Sequence, residues 1–292
     1  MTATWFWVGA VGMALGTVPP VVDAVRAPER ARYDAVLAAV TGFAAVAYAL
    51  MALGVGEMAV ADYTVQLARY ADWLVTTPLL VLYLCMLSRP GRRTYVALVG
   101  LDAVVIAAGV GAALTPTNQK WVLYAVGCVA YVGLLYGLLV ILPRALGDDA
   151  DPRVTATFTV LRNLTVVLWT LYPAVWLLGP TGIGVLQQQM EQIVVVYLDF
   201  ISKVGFVAYA IVGIVFIVVL LAGKLPQTTG VTIPSIMGDR YDGKTRSLTG
   251  IFYVLMFLGT LGAQWLAIGT VISFFFPTLT VLQAAVVGAI FV

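Results

Sequence analysis

Apolar runs of about 20 residues recur along the chain, and each is long enough to cross a bilayer as a helix. That recurrence constrains the fold more than any other feature. Seven spans are read at about 3–22, 34–55, 70–88, 94–114, 121–142, 156–178 and 190–222. An eighth is read at about 250–275, and a ninth begins near 278 and stops at Val292, short of a full crossing. Charged residues make up 10% of the chain and hydrophobic ones 62%, where a soluble domain carries about 25% charge. The expectation is an all-α, multi-pass membrane protein: a seven-helix bundle with one or two extra C-terminal spans. The first run is too long for a signal peptide and lacks a basic start and a cleavage site.

Charge gives the orientation. Arg26, Arg30 and Arg32 follow span one, Arg89, Arg92 and Arg93 follow span three, and Arg144 and Arg153 follow span five. Lys224, Arg240, Lys244 and Arg246 follow span seven, while the opposite loops hold little besides Lys120. Basic loops face the cytoplasm, which predicts an extracellular N-terminus in the cell membrane. The net charge of +2 resides in these short loops and gives no reason to expect nucleic acid. There is no histidine, Cys85 and Cys128 both fall inside spans, and neither a phosphate loop nor a nucleophile–base motif is present. An enzyme is therefore not expected. The polar stretch 223–249, rich in Gly, Pro, Ser and Thr, divides a first domain, 1–222, from a hydrophobic segment, 250–292.

Ionisable residues inside a bilayer are costly and mark function. The basic ones read as interior are Arg69 and Lys203, and the acids are Asp72, Asp102, Asp199 and Glu191. In "YLDFISKVGF", Asp199 precedes Lys203 by four residues, one turn away on the same face. A snorkelling lysine is disfavoured, because the span continues well beyond it. A lysine in a dry pocket forms a Schiff base with a carbonyl compound, and the resulting cation needs a carboxylate beside it. In "RYADWLVTTPLL", Arg69, Asp72 and Thr76 share one helix face. Pro78 frees a carbonyl there, which the neighbouring threonines are expected to re-satisfy. In "LWTLYPAVW", Trp169, Tyr172, Pro173 and Trp176 fall at i, i+3, i+4 and i+7. With Trp73, Tyr48 and Tyr197 they line a slot for a flat, conjugated ligand, or else form an ordinary core or interfacial belt.

These three motifs, with "RNLTVVLWTLYPAVWLLGP" around the third, resemble the microbial (type 1) rhodopsins over about residues 1–222. The resemblance implies all-trans retinal as a protonated Schiff base on Lys203. It makes Asp72 the primary counterion and proton acceptor, Asp199 the second counterion, and Arg69 and Thr76 their neighbours. It makes Trp73, Trp169, Tyr172 and Trp176 the ring-sandwiching residues and puts Tyr48 beside Asp199. Thr77, Val105, Gly109, Gly127, Tyr124 and Ser202 complete the implied retinal contacts.

Within that family the pattern is similar to the haloarchaeal sensory rhodopsin II (phoborhodopsin) group. Pumps have a carboxylate eleven residues after the counterion, roughly 16 Å deeper on the same face. Tyr83 stands there, and a phenol with a pKa of about 10 is a poor donor. Ser202 also matches sensors, whereas Asp102 matches pumps. The resemblance thus implies a photosensor signalling to a membrane transducer in phototaxis, with an outward proton pump as the alternative. Residues 224–292 resemble the start of such a transducer, whose helices, in cis or from another chain, would pack on spans six and seven with Tyr197 at the contact. Gly259, Gly262, Ala263 and Gly269 would permit close helix approach. A lipid-facing or homo-oligomer-forming helix pair is the competing reading of this segment.

Overall fold

A computed structural model of the chain describes residues 2–147 and 149–213, and six single positions beyond them: 243, 247, 272, 280, 283 and 286. The eighth and ninth spans, the linker at 223–249 and the end of span seven otherwise lie outside the described residues. The chain divides into two compact units, Met1–Ile217 and Val218–Val292.

The first unit is a bundle of seven helices, each long and apolar enough to cross a membrane. They are α1 (Thr2–Arg26), α2 (Ala31–Ala52), α3 (Leu67–Ser88), α4 (Arg92–Leu114), α5 (Lys120–Leu146), α6 (Pro152–Leu178) and α7, which starts at Gln188. Their outward faces stay apolar, as at Val11, Leu15, Val129 and Val167, which suits a hydrocarbon surround. The interior is closed by Leu37, Leu80, Leu84, Leu134, Phe158 and Phe206. A second cluster of Phe6, Met13, Tyr48 and Val196 joins α1, α2 and α7.

Local chemistry explains several ends. Asp151 caps α6 by accepting from the Arg153 N–H at 2.7 Å, and Pro152 occupies the first turn, where its missing N–H costs nothing. α1 continues to Arg26 through Pro19 and Pro20, four residues past its expected end. α6 begins at Pro152 instead of 156. The apolar windows undercount because helices carry polar caps beyond the hydrocarbon.

Within this all-α bundle one connection is not helical. The connection from α2 to α3 is an antiparallel hairpin, β1 (Glu57–Val60) and β2 (Tyr63–Gln66), with Val60 paired to Tyr63 across the turn. Gly54 and Gly56 precede it at φ 73° and 82°, conformations that favour glycine. Val60, Tyr63 and Val65 pack on Ala113, and the Tyr63 hydroxyl donates to the Ala113 carbonyl at 3.0 Å. The Gln188 amide bonds both backbone groups of Thr64 at 3.2 Å, so the start of α7 satisfies a strand edge. On the same side, Lys120 donates to the carbonyls of Thr181 and Gly182, tying α5 to the α6–α7 loop.

Among the described residues, three π-helical stretches also escape a reading based on hydropathy: Gly137–Ile141 within α5, and Ile201–Gly205 and Tyr209–Gly213 within α7. The second contains Ser202 and Lys203. In the second unit, Thr280 and Gln283 form a reciprocal capping box. The Gln283 side-chain oxygen accepts from the Thr280 N–H at 2.9 Å, and the Thr280 hydroxyl accepts from the Gln283 N–H at 3.3 Å.

Asp151→Ala should lower the stability of the bundle by about 1 kcal/mol through loss of the α6 cap. Comparing thermal unfolding of the two proteins in the same detergent checks this; an unchanged midpoint would refute the capping role.

Candidate functional site

Lys203 is buried in the middle of the bundle, with a side chain 2% exposed. Its ammonium donates to the Asp72 Oδ2 and lies 3.8 Å from the Asp199 Oδ1. The two carboxylates are held differently. Asp199 accepts from the Tyr48 hydroxyl at 2.6 Å, the Tyr172 hydroxyl at 2.7 Å and the Trp73 indole N–H at 3.0 Å. Those donors come from α2, α6 and α3. Asp72 Oδ1 has no hydrogen-bond partner among the described residues. Three donors fix Asp199 in place, while Asp72 meets the ammonium of Lys203. Asp72 is therefore the carboxylate better placed to take a proton from Nζ.

The π turn supports this arrangement. Such turns recur at functional sites because they displace the following side chains from ordinary helical phase. The Ser202 hydroxyl bonds the Asp199 carbonyl at 3.2 Å and meets the Tyr172 hydroxyl at 3.3 Å. Tyr172 thus links α6 to both the carboxylate and the hydroxyl of α7.

Lys203 and Asp199 lie on the wall of a cavity of about 140 Å³. Trp73, Trp169, Tyr172 and Trp176 line it, together with Thr77, Val105, Gly109, Tyr124, Gly127 and Ser202. Tyr124 and Trp176 stack at 4.7 Å between ring centroids, and Trp73 meets Tyr172 edge-on at 5.1 Å. Arg69 and Glu191 also reach the wall. Arg69 Nε and Nη2 have no partner among the described residues. An amine set in an aromatic cavity and balanced by buried carboxylates fits a conjugated aldehyde condensed as a cationic imine.

Some expected members stand elsewhere. Tyr48 does not line the cavity; it is fully buried behind Asp199. Tyr197 is 52% exposed and packs on Trp5 at 5.9 Å, so it is no part of the slot. Thr76 and Thr77 bond the carbonyls of Asp72 and Trp73. Neither reaches the Leu74 carbonyl that Pro78 frees, so the expected threonine compensation is not made. Tyr83 is buried between Tyr33 and Phe206, away from the cavity.

Other residues escape the sequence reading. Ile106, Cys128, Tyr131 and Leu134 line the cavity; Asp102, already read as an interior acid, lines it too, and its Oδ2 accepts from the Thr77 hydroxyl at 2.7 Å. The signal is present: 102, 105, 106 and 109, and again 124, 127, 128 and 131, share the i, i+3, i+4, i+7 spacing. Arg162 is a third basic residue within a span, bonded to Asn163 and set over the Phe158 ring at 5.7 Å. Asp34 is a further buried acid, only 4% exposed.

Comparison with known proteins agrees with this geometry. Residues 1–218 match the model of the bacteriorhodopsin-like protein family. Sensory rhodopsin-2 of Halobacterium salinarum is 62% identical over 210 residues, 72% of this chain and 88% of the relative. Sensory rhodopsin-2 of Natronomonas pharaonis is 40% identical over 207 residues, covering 70% and 85%. The crystal structure of a cyanorhodopsin from Calothrix superposes with a TM-score of 0.70 at 29% identity, covering 73% of this chain and 94% of that one. With a buried lysine between two aspartates at the wall of an aromatic cavity, and with matches of this extent, the chain belongs to the bacteriorhodopsin-like family, the microbial rhodopsins.

Proposed function

We propose that this chain is a retinal photoreceptor of the sensory rhodopsin II kind and not an enzyme. The observation that carries the reading is the Lys203–Asp72 ion pair beside the aromatic cavity, in a chain 62% identical to a sensory rhodopsin-2. Lys203 would hold all-trans retinal as a protonated Schiff base, and the bound group would supply visible absorption and a light-driven isomerisation.

The chain's own residues supply the rest. Trp73, Trp169, Tyr172, Trp176 and Tyr124 exclude water and hold a planar ligand, with Thr77, Val105, Gly109 and Gly127 shaping the remaining wall. Asp72 Oδ2 receives the proton from Nζ. Asp199 stays fixed in place because Tyr48, Tyr172 and Trp73 keep their bonds to it. Neutralising the pair removes an attraction that is strong in a dry site. The Tyr172 hydroxyl, shared between Asp199 and Ser202, carries that change to α6. Pro173 lets α6 bend there, and the helix tilts outward.

The signal passes to a membrane transducer, in cis or from another chain. Tyr197 supports an outward contact on α7, since its ring is half exposed on the bundle surface. Residues 1–222 form the photoreceptor domain, 223–249 a cytoplasmic linker and 250–292 a transducer-like segment. The end of the family match at 218 and the capping box at Thr280 and Gln283, which suits a helix start, both support that division. The arginine-rich loops put the N-terminus outside the cell membrane.

An outward proton pump would need a rapid donor on the arginine-rich side of Lys203. On α3 that place holds Tyr83, enclosed by Tyr33 and Phe206, which favours the sensor.

Lys203→Ala should abolish visible absorption when retinal is added to the membranes; a covalent pigment in this variant would overturn the reading. Asp72→Asn should shift the absorption to the red, because a negative counterion stabilises the ground state more than the excited state. It should also eliminate the light-induced loss of the Nζ proton, followed by flash spectroscopy. Under continuous light, vesicles containing the wild type should show no sustained proton uptake or release at the rate of a pump; steady pumping would decide for the alternative.

A further inference from the structure

α1 supplies no residue to the wall of the cavity, yet one of its glycines presses on the charged centre. Gly9 lies inside α1, on the buried face that also carries Phe6 and Met13. Glycine within a helix is destabilising relative to alanine, and no left-handed conformation calls for it at this position. The reason is close approach. A Cβ on Gly9 would stand 2.5 Å from Cδ1, 2.8 Å from Cε1 and 3.3 Å from Cγ of Tyr48. All three are atoms of one ring, and carbon atoms in contact ordinarily keep about 3.5–4.0 Å apart.

That ring is held at its far end. Tyr48 is fully buried, Phe6 meets it edge-on at 6.3 Å between centroids, and its hydroxyl donates to Asp199 Oδ2 at 2.6 Å. Making way for a Cβ needs a movement of about 1 Å. The same movement stretches the hydroxyl's bond to about 3.6 Å, where no hydrogen bond remains. The neighbouring glycines do not share this relation. Gly12 and Gly16 are approached by Phe200 and Val204, whose side chains bond no carboxylate. Gly42, on α2, would bring a Cβ no nearer than 3.7 Å, to Thr17 of α1.

We propose that Gly9 is a positioning residue for the carboxylates around Lys203. Its missing Cβ is the space in which the Tyr48 ring lies when the hydroxyl bonds Asp199. α1 thus acts on the charged site through Tyr48 without reaching the cavity. The consequence for colour rests on the photoreceptor reading; the placement of Tyr48 does not.

Gly9→Ala tests this in the full chain, with Gly42→Ala as the control for a methyl added between α1 and α2. In membranes without retinal, tyrosine labelled with carbon-13 at the phenol carbon gives a Tyr48 resonance, identified by its loss in Tyr48→Phe. That resonance should move in Gly9→Ala and stay in Gly42→Ala. With retinal, Gly9→Ala should shift the absorption maximum in the same direction as Tyr48→Phe and by a comparable amount, while Gly42→Ala leaves it in place. Adding Gly9→Ala to Tyr48→Phe should give no further shift, because the bond on which it acts is already gone. A purely structural role would lower thermal stability without this non-additivity. An unmoved Tyr48 resonance, or a Gly9→Ala shift that adds to that of Tyr48→Phe, would overturn the positioning role. Should Gly9→Ala not fold, adding Tyr48→Leu must restore folding, and failure to do so would overturn the role equally. If the wild type forms no pigment, the photoreceptor reading falls, and the Tyr48 resonance alone decides for or against Gly9.

Discussion

One buried cation sets the terms for the rest of this bundle. An ammonium cannot remain charged in a dry interior without compensation, and removing a single partner from such a pair typically costs about 3–5 kcal/mol. Lys203 meets this with two carboxylates. Two carboxylates around one cation leave a surplus negative charge, which must itself be stabilised. Tyr48, Tyr172 and Trp73 do so by converging on Asp199. The arrangement therefore recruits α2, α3, α6 and α7 to one point, and the bundle closes around it. It also divides the labour between the aspartates. One is fixed by neutral donors and the other depends on the lysine, so a change in the lysine's proton is felt mainly at Asp72.

The coupling to α6 follows from how that helix is held on its two sides. Toward α5, the Tyr124 hydroxyl donates to the Pro173 carbonyl at 3.1 Å, and Tyr131 meets the Thr170 hydroxyl at 2.9 Å. Toward α7, Tyr172 bonds Asp199 and Ser202. Only the second set touches the charges. Proton transfer therefore unbalances a clamp that is symmetric in the dark. The unbalanced turn is the one that contains a proline, where the helix already lacks one backbone bond.

The bundle and the charge pair are legible in the sequence because both rest on strong, local signals. Apolar runs of bilayer length announce helices, and helix packing alone gives no reason to set an Asp and a Lys four residues apart inside one of them. The wall of the cavity is half legible. α6 reveals its face through large aromatic residues, but α4 and α5 contribute Val105, Gly109 and Gly127, which carry no chemistry of their own. Their spacing alone marks the face. The hairpin escapes notice because four-residue strands after a pair of glycines resemble any loop, and its edge is completed by Gln188, far away in sequence. The π turns escape it because they change hydrogen-bond register without changing composition. Asp34 is hidden for a different reason. At a helix start an acid is ordinary, and only the fold shows that this one is 4% exposed while Arg30 turns to Asp23.

The two ends of the bundle differ in kind, and that difference bears on what the protein can do with a displaced proton. On the hairpin side of Lys203, Arg69, Gln66, Glu191 and Gln192 surround a small polar pocket, and several of their buried atoms lack protein partners among the described residues. Sites of that kind hold water and give protons a short route. On the arginine-rich side the plug of Leu37, Leu80, Leu84 and Phe206 is dry. A pump needs the return path to be as quick as the exit. A sensor gains from the opposite, because the state in which Asp72 holds the proton must last long enough to be read by another protein. A wet exit joined to a dry return therefore suits a chain whose product is the lifetime of one conformation.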